Sequence, residues 1–254
     1  MNYDMQKASV TKRISAFLFD GILTGIIIVA VAWLLSVVLN YDGYSQNLSK
    51  AYETYEKQYG INFEISQDEY AALTQEKQAD YDAAYAALVA DTEAMKNYNM
   101  VINLTLLMIT GGFFAGIVLI EFVLPLIFGN GQTLGKKIFG IALVRQDGVK
   151  LNHMQLFART ILGKFTIETM IPVHILILIY FDPNMYKIGL IIVGILLIAQ
   201  AVSLLVTRNN CALHDLIAGT VAVDMASQMI FSTTDDLIEY QKKVAAEKAT
   251  RQPY

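Results

Sequence analysis

Four strongly polar side chains lie inside long apolar stretches of the sequence, and chemistry is expected where they lie. Asp20 follows Arg13 by seven residues, and Glu121, Glu168 and Gln200 each lie seven residues from the end of an apolar stretch. Seven residues span about 10 Å along an α-helix. In four membrane-crossing helices the four side chains would therefore share one depth. Ionisable groups inside a membrane are costly and usually functional.

Carboxylates at one depth are expected to interact. Like charges in a medium of low dielectric raise one another's pKa, so the three acids would share protons or take up a cation. Competition between a proton and a cation for one cluster of carboxylates is the chemistry of cation/proton exchange. The pattern therefore predicts ion or proton binding by Asp20, Glu121, Glu168 and Gln200.

A static alternative uses the same buried acids. Arg13 lies on nearly the same helix face as the first acid, and Arg159 and Lys164 flank the third apolar stretch. These cations could neutralise the acids in ion pairs that fix helix register and transport nothing. After the last stretch, His214 precedes Asp215, which is expected to cap the following backbone or to pair with Arg159. Both interpretations, gating and charge pairing, stay open.

The elements that carry these residues are apolar and long. The chain has 254 residues, of which 55% are hydrophobic, and its mean hydropathy is +0.43. Apolar runs of about 20 residues predict membrane-spanning helices. We expect an all-α membrane protein, a four-transmembrane-helix bundle with spans in the segments 1–39, 100–128, 161–181 and 188–207. Two GxxxG patterns predict close helix packing; their glycines are Gly21, Gly25, Gly112 and Gly116.

The distribution of charge predicts the orientation of these helices. Residues 129–164 contain six bases and one acid, whereas residues 40–99 contain four lysines and eleven acids. Lys and Arg favour the cytoplasmic side of a membrane. Both termini and the loop 129–160 are therefore expected in the cytoplasm, and residues 40–99 outside it.

The two segments between the spans have different patterns. Residues 40–99 carry tyrosines at helical spacing, with Thr74 as a helix start, and predict an extracytoplasmic helical hairpin with a tyrosine-rich seam. This insert either packs on itself or presents a surface to a partner.

Residues 137–145 are apolar and β-branched and end before Asp147-Gly148, so they predict a strand that pairs with residues 218–224 in a small cytoplasmic β element. An interfacial helix over 136–144 is the competing interpretation, and Asn152 is expected to cap a helix that leads into the third span. Residues 208–254 hold the HD and AGT motifs and a polar C-terminal helix.

Several functions are disfavoured by missing motifs. The single cysteine, Cys211, excludes an internal disulfide framework and indicates no metal cluster. The stretch GQTLGKK does not match a phosphate-binding loop, since Asn130 and Lys137 stand where glycine and Ser or Thr are required. The sequence predicts no enzyme, no cofactor, no metal and no nucleic-acid partner.

The order of the motifs resembles the RDD family of bacterial and archaeal membrane proteins. Arg13 with Asp20, the stretch GQTLGKKIFGIALVRQDG, ARTILGKF, and LHDLIAGTVAVD carry this resemblance. It implies that Arg13, Asp20 and Asp215 are the arginine and two aspartates of the family's name. It also implies a multi-pass protein of the bacterial inner membrane, and some family members have been linked to sodium/proton antiport.

Two hypotheses follow for the function. In the first, the chain is a cation (sodium)/proton antiporter that uses Asp20, Glu121 and Glu168, with Arg13 and Asp215 gating or pairing. Because four spans are few for a transporter, a homo-oligomer is expected. In the second, the chain is a non-transporting accessory or regulatory protein whose outer insert binds a membrane-protein partner.

Overall fold

The fold is mostly helical. The computed structural model describes residues 5–174 and 186–251. Its helices, in chain order, are α1 (Val10–Val38), α2 (Tyr41–Tyr59), α3 (Gln67–Ala71), α4 (Gln75–Ala90), α5 (Thr92–Ile117), α6 (Leu124–Phe128), α7 (Leu134–Ile138), α8 (His153–Phe157), α9 (Tyr186–Val206), α10 (Leu213–Ala218) and α11 (Thr234–Arg251). Two π-helical segments, π1 (Val118–Val123) and π2 (Ala158–Glu168), continue α5 and α8, and the strands are β1 (Ile141–Arg145) and β2 (Thr220–Asp224).

Two continuous helical stretches are long and apolar enough to cross a membrane. They are Val10–Val38 and Thr92–Phe128, and a shorter apolar helix covers Ile191–Val206. On α1 the exposed fractions of Phe17, Ile22 and Trp33 are 66%, 66% and 67%. Large apolar side chains exposed to this degree are unfavourable in water and suit a lipid environment.

The third predicted span is interrupted where the structure describes it. The segment π2 ends at Glu168, and Met170 has a left-handed φ of 54°. A helix resumes over residues 171–174. Pro172 has no N–H to donate to the carbonyl of Glu168, four residues before it, so a break at this point has a local cause. Residues 175–185, which include the last seven residues of the predicted span and part of the predicted turn 182–187, lie outside the described residues.

Residues 29–112 form one of two compact units. In this unit α2 packs against α4. The ring of Phe63 lies between those of Tyr52 and Tyr81, with centroid distances of 5.5 and 5.6 Å. Thr74 caps α4 through its side chain, as predicted. Two tyrosines of the insert, Tyr52 and Tyr81, thus take part in an aromatic cluster within it.

Residues 1–28 and 113–254 form the second unit, of which the β element is the best-packed part. The strands β1 and β2 pair antiparallel, with Ile141 opposite Asp224 and Arg145 opposite Thr220. Apolar side chains are buried on both faces of this two-stranded sheet. The predicted pairing is therefore confirmed. The interfacial helix is wrong for residues 141–144, because helix α7 ends at Ile138, and Asn152 caps α8 as expected.

The glycine patterns have unequal roles in the described residues. A Cβ added to Gly116 would lie 3.0 Å from Cγ2 of Thr24 and 3.2 Å from Cγ1 of Ile28, so α5 approaches α1 closely there. A Cβ added to Gly21 or Gly25 would meet no described atom within 4 Å. The close approach on α1 is thus made at Thr24 and Ile28 and not at its own glycines. Gly112 is buried in α5.

Candidate functional site: a buried charge network

Asp20 anchors a loop to α1. Its side chain is 3% exposed, and it accepts hydrogen bonds from Thr133 Oγ1 at 2.5 Å and from the Gly135 amide at 2.7 Å. Thr133 is also the N-cap of α7, since its hydroxyl accepts from the Lys136 amide at 3.2 Å. A Cβ on Gly135 would lie 2.5 Å from the Ala16 carbonyl oxygen, so the loop can come this close only with glycine there. Two donors therefore satisfy the acid that α1 buries.

Glu121 is surrounded by three cations. Its carboxylate accepts from Lys164 Nζ at 2.5 Å, from Lys136 Nζ at 3.1 Å and from the Arg159 guanidinium at 3.5 Å. Glu121 lies in π1, and its main-chain carbonyl accepts from Thr160 Oγ1 at 2.9 Å. The two π segments therefore contact each other at Glu121. π-Helical turns are frequently found at functional sites.

Arg159 links Glu121 to the motif after the last apolar helix. Its Nε donates to Asp215 Oδ1 at 2.9 Å, and its Nη2 lies 2.8 Å from Nε2 of His214. Arginine is always protonated and can only donate, so Nε2 of His214 is the acceptor. The other ring nitrogen, Nδ1, then carries the proton and donates to Glu168 Oε1 at 2.7 Å. The partners of His214 thus assign it as neutral, with the proton on Nδ1. Burial, followed by the charge of Arg159, lowers the pKa of His214, in agreement with this assignment.

Asp215 is fully buried and has four donors. Besides Arg159, it accepts from Arg13 at 3.2 Å, from Thr220 Oγ1 at 3.0 Å and from the Ala212 amide at 3.3 Å. Burial alone would raise the pKa of Asp215, but the charges of Arg159 and Arg13 outweigh this effect and hold the pKa well below the usual range. Asp215 thus both caps α10 and pairs with Arg159, the two contacts that its position predicted.

The buried acids do not form a carboxylate cluster. Asp20 binds a loop, Glu121 binds three cations and Glu168 binds His214. Among the described residues no hydrogen bond joins any two of these three carboxylates. The expectation that the three acids share protons is therefore wrong, because each acid is bound separately by its own cations or hydrogen-bond donors. Altogether the network holds equal numbers of bases and acids: Arg13, Lys136, Arg159 and Lys164 against Asp20, Glu121, Glu168 and Asp215.

Gln200 positions the backbone of the last motif. Its Oε1 accepts from the Leu213 amide at 2.9 Å, at the first residue of α10. Gln200 therefore joins α9 to the His214-Asp215 turn and makes no described hydrogen bond with the acids. Arg13 reaches the same turn, since its guanidinium also donates to the Asn210 carbonyl.

A cavity of about 430 Å³ opens onto this network. Side chains from α1 and α9 form its apolar walls. Its polar lining consists of Arg13, Asp20, Glu121, Lys136, Arg159, Lys164, Gln200, Asn210 and His214. Most of the predicted site residues therefore surround one cavity, although Glu168 and Asp215 are not among its lining residues.

Lys136 is a functional candidate that the sequence did not single out. Burial, together with the charges of Arg159 and Lys164, lowers its pKa to about 8, although Glu121 and Asp20 oppose the shift. The motif GQTLGKK does not match a phosphate loop. A useful signal was available in its Thr133, which precedes a helix start and can cap it. The position of its partner Asp20, more than a hundred residues earlier in the chain, could not be read from local spacing.

The chain is mostly helical, its long apolar helices suit a lipid environment, and a charge network is buried beside them. These features define an integral membrane protein. A model of the RDD family matches residues 7–219, most of the chain. The chain therefore belongs to the RDD family, whose proteins are membrane proteins. Within the network, Arg13 and Asp215 pair with each other, and Asp20 holds the GQTLGKK loop.

A curated relative matches part of the chain. Uncharacterized protein YckC of Bacillus subtilis (strain 168) is 31% identical to the chain over 108 residues, which are 42% of this chain and 57% of that protein. The chain thus spans a little over half the length of this relative. No solved structure matches the chain.

Proposed function

We propose that the chain is a non-enzymatic, multi-pass accessory or regulatory protein of the bacterial inner membrane. Both termini would lie in the cytoplasm, with residues 40–99 on the outer side. The excess of bases in residues 129–164 and of acids in residues 40–99 supports this orientation. The interrupted helix at Met170 and the α9 helix would complete the two further crossings.

The choice of a non-transporting role rests on the contacts that Glu121 makes. A sodium site requires carboxylate oxygens with free lone pairs, yet three cations already hold both oxygens of Glu121. Asp20 and Glu168 also have their own donors. An approaching cation would have to displace a bound cation at Glu121 and to compete with uncharged hydrogen-bond donors at Asp20 and Glu168. The network thus has the properties of a brace that fixes loops and helices in one register.

The outer insert is the proposed site for a membrane-protein partner. Its aromatic cluster is internal, whereas Tyr85, Val89 and Tyr98 are 57%, 45% and 40% exposed. Tyrosine is favoured at interfaces, because it combines a large apolar surface with a polar tip. The insert has an excess of seven negative charges, counted as eleven acids against four lysines, so the partner surface is expected to carry bases. A second copy of the chain is the alternative partner.

Cation/proton exchange is the second candidate function, and the pKa of Lys136 is the observation that favours it. When Lys136 loses its proton near pH 8, Glu121 loses one of its three cations. A sodium ion could take that place, so that one proton leaves for each cation that enters. In this version the proton is carried by a lysine and not by shared carboxylates.

Reconstitution in proteoliposomes separates the two functions. An imposed pH gradient should drive no sodium uptake above that of empty vesicles, in wild type or in Lys136→Arg. Antiport instead predicts uptake that disappears in Lys136→Arg, because arginine keeps its proton, and persists in the neighbouring control Lys137→Arg. Lys137 is exposed and lies over the ring of Phe128, outside the network. Sodium uptake with this pattern would overturn the accessory role.

Partner binding has its own test. Deletion of residues 51–90, or the double change Tyr85→Ser with Val89→Ser, should abolish co-purification of a crosslinked partner from native membranes. Glu76→Gln, an exposed change on the same helix, is the matched control. An unchanged crosslinking pattern in all variants would contradict a docking role for the insert.

A further inference from the structure

The residues that line the cavity have an excess of positive charge. The acids that balance the network as a whole, Glu168 and Asp215, are not among the lining residues. The lining retains four cations and two acids; the cations are Arg13, Lys136, Arg159 and Lys164, and the acids are Asp20 and Glu121. An anion in the cavity would therefore face four cations and two acids, while Asp215 pairs with Arg13 and Arg159 from behind the lining.

Three of these cations remain accessible from the cavity. The side chains of Arg13, Lys136 and Lys164 are 15%, 11% and 15% exposed, whereas that of Arg159 is 3% exposed. The Lys164 ammonium has three donors, and its described acceptor is a single oxygen of Glu121. Donors of this kind are suited to the oxygens of a phosphate, which accepts several charge-assisted hydrogen bonds.

The walls of the cavity are apolar. Ile14 and Phe17 of α1 and Leu205 of α9 line it and are 53%, 66% and 81% exposed. A free inorganic anion gains nothing from such walls, whereas acyl chains bury apolar surface against them. The combination of charged and apolar lining thus selects an amphiphile with an anionic end.

We infer that this cavity binds the phosphate headgroup of an anionic membrane lipid, with the acyl chains along the exposed apolar residues of α1 and α9. Its volume of about 430 Å³ lies within the range of small-molecule sites, about 300–1,000 Å³. Basic pockets between membrane helices bind anionic headgroups by the same physics. This inference does not depend on the partner of the outer insert.

Native mass spectrometry of the full-length protein in detergent measures such binding. The probes are phosphatidylglycerol and phosphatidylcholine with identical acyl chains. We expect one phosphatidylglycerol per chain, bound at least tenfold more tightly than phosphatidylcholine. Equal binding of the two lipids would contradict recognition of the anionic headgroup.

Lys164→Gln and Lys137→Gln form a matched pair, because both remove one lysine charge and only the first lies in the cavity. Lys164→Gln should weaken phosphatidylglycerol binding about tenfold, the equivalent of one charged hydrogen bond. Lys164→Arg should restore most of it, and Lys137→Gln should change it less than twofold. Equal losses in Lys164→Gln and Lys137→Gln would show diffuse surface attraction and overturn the inference.

Two further measurements keep the inference testable if Lys164→Gln does not fold. Ala201→Trp fills the apolar wall without changing charge and should also reduce binding about tenfold. Glycerol 3-phosphate, which has the headgroup chemistry without acyl chains, should not compete with the lipid at equal concentration. Full competition would make free phosphate esters the ligand, and unchanged lipid binding in Ala201→Trp would show that the lipid does not occupy this cavity. Either result would overturn the inference.

Discussion

The neighbours of His214 allow a single protonation state of its ring. Arg159 donates to Nε2, and Nδ1 donates to Glu168. A second proton on the ring would place two donors, Nε2–H and the guanidinium, against each other 2.8 Å apart. The buried ring therefore resists protonation, which is the physical meaning of its lowered pKa.

Acid should destabilise the protein through His214. The unfolded chain binds a proton at this histidine near pH 6.5, whereas the folded chain does so only at lower pH. Between these two pKa values the unfolded state holds more protons, so the free energy of unfolding decreases as the pH falls below 6.5. The slope from one proton is at most about 1.4 kcal/mol per pH unit. The free energy of unfolding, measured in mixed micelles at several pH values between 7.5 and 5.5, gives this slope.

The control for this pH effect is another histidine of the same chain. His153 is exposed at the start of α8. His214→Asn should remove the slope below pH 6.5, whereas His153→Asn should preserve it. A slope that survives in His214→Asn would show that a different group is responsible.

Helix α7 and its loop depend on a glycine where they meet α1. A Cβ at Gly135 would lie 2.5 Å from the Ala16 carbonyl oxygen and 2.9 Å from Cγ of Asp20. The carbonyl belongs to a helix backbone and cannot move alone, so the loop would have to retreat from Asp20. Gly135→Ala should therefore lower the free energy of unfolding by about 1–3 kcal/mol, the usual cost of overpacking.

Gly21→Ala is the matched control, at the residue that follows Asp20 on α1. Its added Cβ would meet no described atom within 4 Å, and alanine favours a helix over glycine. This change should be neutral or slightly stabilising in the same unfolding measurement. A loss as large as that of Gly135→Ala would show that Gly21 packs against something, such as a second copy of the chain.

Elements with strong local signals could be predicted, and elements set by distant partners could not. The capping residues Thr74 and Asn152 and the strand pair β1–β2 follow from local chemistry and from a continuous apolar run buried on both faces. The break at Met170 has a local cause in Pro172, whereas the π segments could not be predicted, because a π turn has no residue pattern of its own. The π segments contain Glu121 and Arg159, which bind partners from other elements.

The residues of the site could be predicted better than the hydrogen bonds and ion pairs between them. Depth along each helix identified Asp20, Glu121 and Glu168, and the HD motif identified His214 and Asp215. Apart from the Arg159–Asp215 pair, the partner of each acid was not predictable, since the groups that bind the acids come from distant parts of the chain. Charge balance across the whole network, rather than repulsion among carboxylates, determines the arrangement.

At the scale of the whole molecule, the network and the outer insert belong to different compact units. The paired residues of the network lie in residues 1–28 and 113–254, whereas the aromatic cluster lies in residues 29–112. Mutational effects at separate sites without shared partners are expected to add. The two units should therefore respond independently to change.

Deletion of residues 51–90 with a flexible linker tests this independence. The deletion removes α3, α4 and part of α2, and it retains α1, α5 and all network residues. The loss caused by Gly135→Ala should remain the same in the deleted chain, within about 0.5 kcal/mol, as should the slope below pH 6.5 that His214 produces. A cycle of four proteins, with the deletion and Gly135→Ala alone and combined, measures the coupling. A coupling energy well above that limit would mean that the insert stabilises the charge network, and the insert would then act as part of the site.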